Sequence, residues 1–113
     1  MRIRGQVLVF AVALCGAALA GCKHQLTADE MQGMKLYNTH CADCHEQTHE
    51  GLLKTPPRLD GIFRAQTLPD GVPVSDEAVQ DVIRDGLRTM PAFNGRLSDA
   101  QIARILAYLH TRQ

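Results

Sequence analysis

Cys41-Ala42-Asp43-Cys44-His45 is the densest run of chemistry-bearing side chains in this 113-residue sequence. Thiols three residues apart lie almost one helical turn from each other and so share a face. Both can then add to the two vinyl groups along one edge of a porphyrin, and the C-x-x-C-H spacing reads as covalent haem attachment. His45 follows at once, so its imidazole can take one axial position on the iron. Bare C-x-x-C has two other uses. A redox dithiol sits at a helix start in a βαβ unit, and no stretch here reads as a parallel strand. A structural zinc site needs four ligands, usually a second C-x-x-C or an H-x-x-x-H. The sequence has no second C-x-x-C, and His40 and His49 flank the motif without such spacing.

A haem histidine usually pairs with a thioether or a second imidazole across the iron. Beyond the first twenty residues the sequence offers Met31, Met34 and Met90, with His24, His40, His49 and His110. Met31 and Met34 fall on the stretch leading into the motif, where reaching the opposite haem face is awkward, and a methionine there is expected to fill core. His40 and His49 share that problem, and His110 falls at the end of the last predicted helix. Met90 is far along the chain, on a loop after a glycine-terminated helix, with its backbone stiffened by Pro91. Met90 is therefore the expected second axial ligand.

Three helices must position these residues. Thr27-Ala28-Asp29-Glu30 is a capping box, and the helix it opens is expected to run to about His40, directly into the haem motif. Glu46 to Thr55 is polar and contains Gly51, which predicts a loop, and Pro56-Pro57 imposes an extended path. Ile62 and Phe63 are expected to return to the core. Leu68 to Pro73 is a second turn-rich connection. Ser75 caps a second helix with Asp76 and Glu77 on its positive end. Its apolar face is Val79, Val82, Ile83 and Leu87, and Gly86 terminates it. Ser98-Asp99-Ala100-Gln101 is another capping box, and Ile102, Ile105, Leu106 and Leu109 recur at i, i+3, i+4 and i+7 behind it. No strand pattern and no repeat occurs, so the chain is expected to be all-α.

The first residues belong to export rather than to this domain. Arg2 and Arg4 precede an almost unbroken apolar run from Val7 to Ala20, too short for a comfortable membrane span and typical of a secretory leader. Ala18-Leu19-Ala20 fits ordinary signal cleavage. Leu19-Ala20-Gly21-Cys22 also resembles the lipobox of bacterial lipoproteins, which implies lipid on Cys22 and stable membrane anchoring through more than one acyl chain. The expected organisation is a leader over 1–21, a lipid-anchored tether over 22–26 and one domain over 27–113; the alternative is a soluble periplasmic protein. Cys15 is expected to leave with the leader, Cys22 to take lipid and Cys41 and Cys44 to take haem, so no cysteine pair remains for a disulfide. Roughly ninety residues then remain, a size at which a core is marginal and a large apolar cofactor helps. The two leader arginines leave a slightly acidic balance, with no basic stripe for nucleic acid.

The ordered set of Gly33 and Tyr37, Cys-x-x-Cys-His, Pro57-Arg58-Leu59-Asp60-Gly61, Met90-Pro91-Ala92-Phe93 and Ile105-Leu106-Ala107-Tyr108-Leu109 resembles the class I cytochromes c over about Thr27 to Arg112. The resemblance implies a small fold of three main helices and loops wrapped around one covalent haem c. It implies that Gly33 lets the C-terminal helix approach, with Tyr37 packed on Ile105 and Tyr108. It also implies that the Pro57 carbonyl accepts the Nδ1–H of His45 and that Leu59 lines the pocket. Arg58 has two readings, a propionate contact and a solvated surface side chain, with Arg64 and Arg88 as competitors; Tyr37 is a weaker propionate candidate. The implied function is one-electron, outer-sphere transfer through an exposed haem edge, without enzymatic activity. The partners would be redox proteins such as a dehydrogenase, oxidase or reductase, on the periplasmic side of a bacterial membrane. Two alternatives stand beside a free shuttle: a cytochrome subunit fixed in one oxidoreductase, and a haem sensor whose Met90 bond is labile.

Overall fold

The computed structural model describes residues 24–47 and 54–113. The expected leader, Cys22 as the expected lipid site, and His49 lie outside the described residues. Among the described residues there are four α-helices, α1 (Ala28–His40), α2 (Ala42–His45), α3 (Asp76–Asp85) and α4 (Asp99–His110), with a 3-10 turn at Ile62–Arg64. Among the described residues there are isolated bridges but no named strand. The molecule is all-α, as its periodicity predicted.

Local rules set the helix starts. Thr27 Oγ1 accepts from the Glu30 amide while Glu30 Oε2 accepts from the Thr27 amide, so two orphan donors of α1 are satisfied reciprocally. Ser98 and Gln101 repeat the device on α4. Ser75 caps α3 by accepting from the Ala78 amide at 3.1 Å.

The most extensive helix contact among the described residues is α1 against α4. Gly33 makes it achievable, because a Cβ built there would stand 1.8 Å from the Arg104 carbonyl oxygen. Beside it the Tyr37 and Tyr108 rings lie 5.4 Å apart, tilted by 58°. Ile102, Ile105, Leu106 and Leu109, the expected stripe of α4, are all buried. Burial of each such side chain is worth about 1.5–3 kcal/mol. The core continues through Val79 and Ile83 of α3.

Irregular segments complete the core. Leu68, buried, closes the loop before α3 by donating its amide to the Val72 carbonyl at 2.8 Å. Phe93 and Leu97, from the loop between α3 and α4, are buried as well. Ile62 and Phe63 pack on the core while remaining half-buried. Two expectations are corrected. Leu87 does not belong to the apolar face of α3, which ends at Asp85, but pairs with Met90 beyond Gly86. Met31 does not fill core but is 44 % exposed, because the face α1 turns inward is set by Gly33 and Tyr37.

Candidate functional site

α1 ends where the C-x-x-C-H run begins. Cys41 is both the C-cap of α1, its amide donating to the Tyr37 carbonyl, and the N-cap of α2. The motif therefore occupies one short helical turn, with the amides of Cys44 and His45 donating to the Cys41 carbonyl at 3.2 and 2.9 Å. This puts Cys41 and His45 in the buried layer while Cys44 is exposed. No disulfide joins the two thiols. Burial first, then the neighbouring Cys44, pushes the Cys41 thiol up to about 11. A redox dithiol needs a thiol shifted the other way, so the environment opposes that use. Among the described residues no three His, Cys, Asp or Glu side chains converge as a zinc site requires.

His45 Nδ1 lies 2.6 Å from the Pro57 carbonyl oxygen. A carbonyl only accepts, so Nδ1 must carry the proton and Nε2 the lone pair. The imidazole is thus a fixed tautomer with its free base on the far nitrogen. The backbone after Pro57 is held in turn: Ile62 donates to the Leu59 carbonyl and Gly61 to the Arg112 carbonyl at 2.8 Å. Leu59 packs half-buried on the core.

Arg58 points at carboxylates. Its guanidinium meets Glu46 Oε2 at 3.0 Å and Asp60 Oδ2 at 2.9 Å, and bonds the Glu46 carbonyl as well. Arg112 grips Glu46 Oε1 at 2.6 Å and also pairs with Asp60. These contacts hold both acids below the usual carboxylate range, Glu46 chiefly through Arg112 and Asp60 chiefly through Arg58. Tyr37 donates its phenol to Glu46 at 2.6 Å. Burial and that bond push its ionisation up. Sequence reasoning singled out Arg58 and Tyr37 but missed Glu46, Asp60 and Arg112 as one cluster. The latent signal was alternation of charge around Pro57, since nothing local announces that residue 112 returns there.

Met90 is presented by a loop that also finishes α3. The amides of Phe93 and Asn94 donate to the carbonyls of Ile83 and Arg84, each at 3.0 Å, so the loop satisfies groups the helix end leaves open. Leu87 and Met90 exchange backbone bonds of 3.2 and 2.9 Å across a tight turn. That turn carries Arg88 at φ 56, an uncommon backbone state for a non-glycine residue. Arg88 is itself tied to the Pro69 carbonyl at 2.9 Å. Gly86 permits the fold-back, because a Cβ there would be 2.7 Å from the Met90 carbonyl oxygen. The Met90 side chain is half-buried against the core.

The donor set fits a covalently held haem: two thiols on one helical turn, an imidazole of fixed tautomer and a soft thioether on a pinned loop. Half-buried apolar residues, Leu59, Phe63 and Val82 among them, pack on the same core. A family profile described as "Cytochrome C oxidase, cbb3-type, subunit III" matches residues 28–109. The chain is also 31 % identical to cytochrome c6 of a Nostoc species over 110 residues, covering 89 % of each chain. It is 29 % identical to cytochrome c6 of a Picosynechococcus species over 106 residues, 92 % of this chain and 91 % of the relative. Cytochrome c6 of Leptolyngbya boryana is 34 % identical over 82 residues, 73 % of this chain and 91 % of that one. The chain belongs to this class I cytochrome c family. As a cytochrome c it carries one covalently attached haem c and serves as a monohaem electron carrier for redox partners. No helix among the described residues of this cytochrome is long and apolar enough to cross a membrane.

Proposed function

We propose that Cys41 and Cys44 hold the haem through thioethers, that His45 Nε2 and the Met90 thioether are its axial ligands, and that the protein is a one-electron carrier tethered to the periplasmic side of a bacterial membrane. The observation that carries this reading is the 2.6 Å contact between His45 Nδ1 and the Pro57 carbonyl. It commits one nitrogen to a proton and leaves the lone pair of the other free to hold a metal, a device that would also strengthen donation from the ring. Bound there, the haem supplies a one-electron ferric/ferrous couple. Met90 adds a thioether that favours the reduced metal. If His45 and Met90 both hold the iron, no coordination position would remain for a substrate, which suits outer-sphere transfer rather than catalysis. Leu59, half-buried on the core, would line the haem pocket. Arg58 is already engaged by Glu46 and Asp60, which favours its surface reading over a propionate contact.

Replacing Met90 by Ala tests the ligand set. The expected outcome is loss of the far-red methionine–iron absorbance with the haem still covalently attached. A persisting band assigns the ligand elsewhere. Ready binding of carbon monoxide by the ferrous wild-type protein at neutral pH would instead favour a sensor with a labile Met90 bond.

The anchor rests on Leu19-Ala20-Gly21-Cys22. Cys22→Ala is expected to move the protein from the membrane fraction to the soluble periplasm, and continued membrane retention would point to a peripheral partner. Two observations favour a second reading, in which the cytochrome is fixed in one oxidoreductase: the oxidase-subunit description of the matching profile and a tether of four residues, Lys23 to Leu26, before the Thr27 cap. Co-purification of a stable larger subunit in mild detergent supports that reading; recovery of the cytochrome alone supports the shuttle.

A further inference from the structure

The hydrogen bond between His45 and Pro57 joins two separate pieces of chain, the α2 turn and the loop that begins the 54–61 segment. Something must hold them in register. Glu46 directly follows His45, and Asp60 lies three residues beyond Pro57. Both carboxylates are gripped by the same guanidinium, that of Arg112. Its Nη1 meets Glu46 Oε1 at 2.6 Å, its Nε meets Asp60 Oδ1 at 2.7 Å, and Nη2 also pairs with Asp60. The Arg112 carbonyl adds a third tie by accepting from the Gly61 amide at 2.8 Å.

Arg112 is well placed for such work. Its guanidinium stands 5.0 Å from the Tyr37 ring centroid and 5.6 Å from that of Tyr108, so two aromatic faces fix its plane. Its side chain is 19 % exposed, against 61 % for Arg58. Arg58 makes similar pairs, but at that exposure water and salt weaken them. Tyr37 closes the arrangement by donating to the same Glu46 oxygen that Arg112 holds.

We propose that Arg112 is a positioning residue for the haem ligand: by bridging Glu46 and Asp60 it holds the Pro57 carbonyl on His45 Nδ1. The proposal rests on His45 being the axial ligand, and goes beyond it by assigning the orientation of that ligand to the C-terminal residues of the domain. Lysine keeps the charge but lacks the fork needed to reach both acids in fixed geometry. Arg112→Lys therefore separates geometry from electrostatics.

The test is proton NMR and redox titration of the intact holoprotein. In Arg112→Lys, deuterium exchange at His45 Nδ1–H should accelerate roughly tenfold or more, the consequence of losing a charge-assisted hydrogen bond. The reduction potential should rise, because a looser Nδ1–H···O contact makes the imidazole a poorer donor to the oxidised metal. Asp60→Asn, at an exposed side chain, should accelerate the same exchange and decides the matter if Arg112→Lys fails to fold. Arg104→Lys is the control: it disturbs the Arg104–Asp29 pair between α4 and α1 and should leave the His45 proton unchanged. Wild-type exchange in both Arg112→Lys and Asp60→Asn overturns the proposal, as does equal acceleration in Arg104→Lys. A wild-type spectrum without a protected, haem-shifted His45 ring proton overturns the ligand reading itself, and the Arg112 assignment with it.

Discussion

Gly86 is where two demands on one residue meet. The chain must leave α3 at φ 79, and the Met90 loop must pass so close that an added Cβ would lie 2.7 Å from the Met90 carbonyl oxygen and 2.9 Å from the Ala92 amide nitrogen. An L side chain disfavours that φ, and both crowded atoms are backbone. Gly86→Ala should therefore cost about 1–3 kcal/mol and displace the segment that presents Met90. The expected signature is a weakened or absent far-red band with haem still attached, alongside a lower denaturant midpoint. Gly71→Ala is the matched comparison: its φ is 90 but nothing lies within 4 Å of the new Cβ, so stability should fall while the band stays. A full-strength band in Gly86→Ala would mean the loop does not depend on this close approach. The need for glycine before Met90 was legible in the sequence only as a helix terminator; that it also clears space for the returning loop is a tertiary fact.

The elements divide by how local their causes are. Both capping boxes, the Ser75 cap and the α4 stripe could be read directly, because each rests on residues within two turns of one another. The inward face of α1 could be read only through the family resemblance, which singled out Gly33 and Tyr37, and not from its pattern. It buries only Gly33 and Tyr37, so periodicity had little to work with, and Met31 was expected in the core but is exposed. Leu68, Phe93 and Leu97 were unread for a related reason: they are buried from irregular segments, where no period exists and long-range bonds decide which way a side chain turns. The Arg88 turn is the extreme case. Its φ of 56 contradicts the residue's preference and is imposed by the bonds between Leu87 and Met90 and by the tie to Pro69. Of the site, Cys41, Cys44, His45 and the Pro57 contact were visible as motif and resemblance. The Glu46–Asp60–Arg112 cluster was not, since its members are scattered along the sequence.

Over the whole molecule the core has two unequal halves. Among the described residues the largest fully buried side chains, Tyr37, Ile102, Ile105 and Leu109, belong to α1 or α4. The middle segment adds Leu68, Val79, Ile83, Phe93 and Leu97 to the buried core, but its Leu59, Ile62, Phe63, Val74, Val82 and Met90 pack on that core and stay half-buried. A domain of this size is marginal on its own, and a large apolar disc bonded to Cys41 and Cys44 would cover surface that protein atoms leave open. The consequence is uneven stability in the haem-free chain. Made in a compartment that does not attach haem, the protein should keep amide protection in Ile102 to Leu109 and around Tyr37, while the amides of Met90 and Phe93 exchange far faster. The gap should reach roughly two orders of magnitude, about 2.7 kcal/mol of opening free energy. Hydrogen exchange read by NMR or mass spectrometry measures it directly. In the holoprotein the two regions should converge if Met90 holds the iron as proposed, because opening its loop would then require breaking that bond. Uniform protection without haem would mean the middle segment is held by its own backbone ties alone, and that the cofactor adds chemistry but not architecture.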